Sequence, residues 1–220
     1  MAGPTLFCTL ADVLALVSMD AQARLATDPD TFVAVGAGDG IKTTFDTPFL
    51  NASALSATVN GVAAATTTSV GTGPDGTDRI VFGTAPTTGL VVKVKADNRA
   101  INTDVVKLCI VLATNKIKGH LARYVSENPS AAVLAVLQPK AVFFTRWYLR
   151  MRRSMEEWDP IREEYRAENA WLVAVAKGQI ALPADALIAT AAPPKPAPTV
   201  DMPDAFGPPY TNVNGGLYPW

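Results

Sequence analysis

The chain is predicted to be α+β: an α-helical bundle interrupted by a small antiparallel β-sandwich or barrel, and followed by an extended C-terminal tail. Three changes of texture along its 220 residues predict this. Residues 1–30 and 97–182 carry apolar side chains at helical spacing, residues 31–96 are short runs of Gly, Thr, Val and Pro, and residues 183–220 lose periodicity.

The first helix lies within residues 5–28. Thr9 precedes "LADVLALV", with Asp12 three residues later as a capping partner, and Leu10, Val13, Leu14 and Val17 recur at helical spacing. Pro29 in "ATDPD" ends the element. In the β segment, "GDG", "NG", "GPDG" and "APTTG" separate runs such as "TTF", "SATV", "RIVF" and "LVVKVKA". Asn60-Gly61 fits a tight hairpin turn, because both positions tolerate positive φ.

Helix returns at Asp104. Val106, Ile110, Ala113, Ile117, Leu121 and Tyr124 form a stripe that Val105, Cys109 and Leu112 widen into a core-facing side. A short helix over Ala131–Leu137 is expected to end near Pro139, and a longer one to follow with Phe144, Tyr148, Met151 and Met155 on one face. Asp159 and Pro160 suit the start of the last helix, whose inner stripe is Ile161, Tyr165, Leu172 and Val175. Lys177-Gly178 suits its glycine cap. Nine of the 17 prolines fall between Pro183 and Trp220, which favours an extended path over a compact element there.

With 19 basic and 20 acidic side chains, no global field draws the chain to nucleic acid or to an anionic membrane. Cys8 and Cys109 are far apart and make neither a disulfide framework nor a zinc motif, which points to a reducing cytoplasm. The N-terminal stretch lacks a basic n-region and predicts no signal peptide, and no apolar window is long enough for a membrane span. His120, the sole histidine, has no acidic or thiol residue one turn away, so it reads as a helix-surface or intersubunit residue. No nucleophile elbow, P-loop, zinc-protease motif or complete dinucleotide fingerprint is present, so neither catalytic residues, nor a bound metal, nor a cofactor is expected.

Two constellations remain. Arg146, Arg150 and Arg153 share one helix face, and they either meet phosphates or pair with the carboxylates Glu156, Glu157, Glu163 and Glu164 of an adjacent copy. Trp147 and Trp158 read as packing residues. The tail ends in "MPDAFGPPYTNVNGGLYPW", where Phe206, Tyr210, Leu217, Tyr218 and Trp220 are large side chains in a linker-like setting, suited to pockets on another subunit.

The order of these motifs resembles the head-tail connector adaptors of tailed bacteriophages, in particular their Mu-type, head-completion branch. Thr9–Val17, Ile117–Tyr124 and Trp171–Pro183 carry the likeness, which covers residues 5–28 and 98–183. The segment "GDGIKTTFDTPF…ATVNGV…RIVFGTAPTTG" is similar to a β module found in phage virion proteins, and it departs from the usual adaptor, which has no such insertion. The resemblance implies a non-enzymatic virion protein assembled in the host bacterial cytoplasm. It would form a homo-oligomeric ring, commonly of twelve copies, in the neck below the portal. Its partners would be the portal protein, a stopper or tail-completion protein, and packaged DNA held without sequence specificity, with no membrane. The alternative is a tail- or fibre-associated binding module acting through the β insertion.

Overall fold

The computed structural model describes residues 5–16, 26, 28, 31–97, 99–122, 124–125, 129–152 and 160–183. Helix α1 (Leu10–Leu16) begins at a reciprocal cap. The Thr9 N–H and hydroxyl donate to Asp12 Oδ2 at 2.7 and 2.8 Å, and the Asp12 N–H donates back to Thr9 Oγ1 at 3.3 Å. Aspartate thus fills the place that glutamate more often takes.

Among the described residues nine short strands follow: β1 (Val33–Ala37), β2 (Thr44–Asp46), β3 (Phe49–Leu50), β4 (Leu55–Val59), β5 (Val62–Ala64), β6 (Thr66–Ser69), β7 (Arg79–Phe82), β8 (Val91–Ala96) and β9 (Ile101–Asn102). They pair antiparallel into sheets of order β1-β8-β4-β5, β2-β7-β6 and β3-β9. The expected Asn60-Gly61 hairpin joins β4 to β5, with φ of 49° and 83° and Val59 opposite Val62. Among the described residues no sheet closes on itself, which corrects the barrel alternative: three- and four-stranded sheets are too small to form a ring of strands. Instead the inward residues of both larger sheets share one apolar cluster, in which Phe45 and Phe82 meet edge to face at 5.6 Å beside Ile80, Val92 and Val94.

Three helices complete the described chain: α2 (Thr103–Leu121), α3 (Ala131–Met151) and α4 (Ile161–Ala176). Helix α2 buries Val106, Ile110, Ala113, Ile117 and Leu121, as the stripe predicts. Leu112 is a correction, since it stands 41% exposed on the opposite side. The expected break at Pro139 is also corrected, because α3 runs through it without interruption. Proline removes one helical hydrogen bond at a cost of about 3 kcal/mol. That cost is offset by burial on both sides of it, by Val133 and Leu137 before and by Ala141, Val142, Phe144 and Leu149 after. The inner face of α3 therefore differs from the expected one: Phe144 is buried, but Met151 is 37% exposed at the helix end, and Met155 lies outside the described residues.

Pro160 precedes α4 in helical dihedrals and accepts at its carbonyl from the Glu163 and Glu164 N–H groups; Asp159 lies outside the described residues. Gly178 ends α4 with φ +71°, its N–H bonded to the Val175 carbonyl and the Gln179 N–H to the Ala174 carbonyl, both at 2.9 Å. This is the paired closure that a glycine at this position permits.

A second apolar cluster joins α1 to α4, running from Phe7 and Val13 through Ile110, Leu137 and Phe144 to Leu172 and Leu182. The two clusters meet at a short seam. Leu50 of β3 packs against the helical cluster and pairs with Ile101 of β9, which is itself a member of that cluster. Asn102 is both the last strand residue, opposite Phe49, and the cap of α2, its side chain accepting from the Asp104 and Val105 N–H groups. Thr103 adds two bonds to the Pro48 carbonyl, from its N–H at 2.8 Å and its hydroxyl at 2.9 Å. The described residues lie within one compact unit, and the tail expected over residues 183–220 lies outside them beyond Pro183.

Candidate functional site

The charged candidates gather at the facing ends of α3 and α4. Arg146 and Arg150 sit half-buried on the last turns of α3, one turn apart, and Arg150 has an interaction partner within the chain. Glu163 and Glu164 are exposed on the first turn of α4, where the helix dipole favours negative charge. Among the described residues, the ion pairs are Arg79–Asp46, Lys107–Asp75 and Lys140–Glu168, so neither Arg146 nor Glu163 nor Glu164 forms one. Arg153, Glu156, Glu157, Trp158 and the tail residues Phe206, Tyr210, Leu217, Tyr218 and Trp220 lie outside the described residues.

Sequence reasoning missed what fastens α4 to the bundle. Trp147 of α3 stacks on Tyr165 of α4, with centroids 4.1 Å apart and rings 18° from parallel, and Phe144 meets the same tyrosine edge to face. Trp147 is therefore a packing residue, as expected. Lys116 of α2 donates to the Tyr165 hydroxyl at 3.0 Å while its ammonium lies over the rings of Phe144 and Tyr165. Beside it, Lys140 Nζ is 2.9 and 2.7 Å from the two Glu168 oxygens and 5.0 Å from the Trp171 ring centroid. Two lysines thus join three helices through aromatic faces, which strengthens both interactions by partial desolvation. The partners lie 28 and 49 residues apart, and no local spacing marks them.

Burial, and then the nearby Lys116 charge, push His120 below its usual value, so the imidazole is neutral near pH 7. Burial raises both thiols, Cys8 and Cys109, and both are free. Among the described residues, no group of three or more His, Cys, Asp or Glu side chains could hold a metal, and no helix is long and apolar enough to cross a membrane.

The β module presents large apolar residues at its turns. Ile41 is 85% exposed at the tip of the β1–β2 loop, a turn in which Asp39 accepts from the Lys42 and Ile41 N–H groups; those bonds pull its carboxyl below the usual range. Val62 and Val70 are also exposed, and an open groove lined by Ile41, Lys42, Thr44, Asp46 and Arg79 runs beside the first loop. On the helical side, Leu108, Val111 and Leu112 of α2 are exposed together.

No curated protein and no solved structure matches the chain. The family model described as Bacteriophage Mu, Gp36 matches residues 82–200, from the end of β7 through α2, α3 and α4 and beyond the described residues. It leaves outside both the Thr9–Val17 segment and most of the β module. With more than half of its residues in that match, the chain belongs to the family of bacteriophage Mu Gp36 and is a phage-related structural protein of the virion.

Proposed function

We propose that the chain is a head-tail connector adaptor: a non-enzymatic protein that forms a ring below the portal, extends the DNA channel and joins the head to the neck or tail proteins. The observation that carries this reading is the family match over residues 82–200, which takes in α2, α3 and α4. A bundle fastened internally through Lys116 and Lys140, with exposed apolar and charged faces left over, suits a part that works by assembly. In the ring, on this reading, Arg146, Arg150 and Arg153 meet either the carboxylates of a neighbouring copy or the phosphates of DNA in the channel. The tail, with Phe206, Tyr210, Leu217, Tyr218 and Trp220, docks on the portal or on a ring neighbour. Electron microscopy of purified particles tests the reading: a ring of this chain is expected next to the portal, and density for it elsewhere only would refute it.

The exposed Ile41, Val62 and Val70 favour one second reading, a tail- or fibre-associated binding module acting through the β insertion. Single large apolar residues at turns are common on protein surfaces, so this reading ranks behind the first.

A further inference from the structure

The solvent side of α2 is one continuous stripe: Asp104, Leu108, Val111, Leu112, Asn115 and Gly119, at spacings of three and four. Its middle is apolar, with Leu108 at 59%, Val111 at 36% and Leu112 at 41% exposure. Gly119 lies within the helix with open space where a side chain would stand, and glycine there costs about 1 kcal/mol relative to alanine. Among the described residues nothing fills that opening. A backbone passing close by would.

The outer side of α4 has a complementary profile. Glu163, Arg166, Ala167, Ala170 and Lys177 are exposed and Ala174 is half-buried, so a smooth alanine track runs between an acidic start and a basic end. On α2 the order is the same: acidic Asp104 opens the helix and Lys118 stands near its close, half-exposed with its ammonium over the Phe7 ring. In each helix the acidic and basic residues are fourteen positions apart, about 21 Å at the helical rise. Laid antiparallel, Asp104 stands level with Lys177 and Lys118 with Glu163. Val111 then lies over Ala170, Leu108 between Ala170 and Ala174, and Leu112 between Ala167 and Ala170. Laid parallel, the same helices set Asp104 beside Glu163 and Lys118 beside Lys177, which like-charge repulsion opposes.

We infer that α2 of one copy packs antiparallel on α4 of a second copy, with Leu108, Val111 and Leu112 seated on the Ala167, Ala170 and Ala174 track. The contact uses a different face on each partner, so it is head-to-tail and repeats around a ring. It deepens the ring reading above and rests on it only for closure; the helix pairing itself stands on the two faces.

The test is cross-linking of the concentrated full chain carrying Val111→Cys together with Ala170→Cys. The native thiols are buried, so wild-type protein supplies the background. Oxidation of the double variant is expected to give a ladder of covalent dimers, trimers and larger species, while either single variant stays at background. Glu163→Lys with Glu164→Lys should cut the ladder yield several-fold, and adding Lys118→Glu should restore it, with the far-ultraviolet circular dichroism of every variant equal to wild type. A dimer from Val111→Cys alone would mean that α2 pairs with itself, and absence of any ladder would equally overturn the contact. A ring seen at the neck without cross-linking would remove this contact and leave the ring reading standing. A ladder from protein that forms no ring at the neck would do the reverse.

Discussion

Asp78 has a fully buried carboxylate in the β module, and each of its oxygens takes a different task. Oδ2 accepts from the Ala52 N–H at 2.7 Å and Oδ1 from the Gly71 N–H at 2.9 Å, while its main chain bonds Phe49 and Thr47. One side chain thus ties the β3–β4 loop to the β6–β7 connection. Asp78→Ala should destabilise the protein by about 3 kcal/mol, because two charge-assisted bonds go and two backbone donors lose their acceptor. Urea unfolding followed by circular dichroism reads this, and a loss below about 1 kcal/mol would show that water replaces the carboxylate. In the sequence Asp78 is one more polar residue in a turn-rich run, with its partners 7 and 26 positions away. Asn60-Gly61 and the Thr9–Asp12 box were legible because their whole chemistry fits within four residues.

At the scale of elements, periodicity located α2 and α4 and the strands around "SATV" and "RIVF", and local punctuation decided where they stop. Gly178 ends α4 as expected because a left-handed residue closes a helix using only its own last turn. Pro139 misled for the complementary reason: its local preference is real, but the burial of Val133, Leu137, Phe144 and Leu149 against the bundle outweighs it. Pro139 itself is exposed, so Pro139→Ala should restore a helical bond without disturbing the core and raise stability by up to about 3 kcal/mol. A rise in the thermal midpoint is the expected result. A fall would mean that the bundle depends on a bend set by the proline. Leu112 misled differently, since a stripe wide enough to be apolar on two sides does not say which side meets the core and which awaits a partner.

At the scale of the molecule, the charged and aromatic candidates divide by where they stand. Arg146, Arg150, Glu163 and Glu164 come from the facing ends of two helices, an arrangement the helical pattern made readable. The partner that would complete them is not encoded in any local spacing. If the chain is the connector proposed above, removing residues 202–220 should leave the thermal midpoint of the protein within a degree or two of wild type and weaken binding to the portal, measured by co-sedimentation; undiminished binding would reduce that segment to a linker. The seam at Asn102 has a mechanical consequence. The residue that closes the β3-β9 pair also caps α2, and Thr103 next to it holds the Pro48 carbonyl, so no slack chain separates the module's exit from the helix axis. A sideways load on the module therefore arrives at α2 as torque, and the module behaves as a lever arm whose deflection would be felt along the helix.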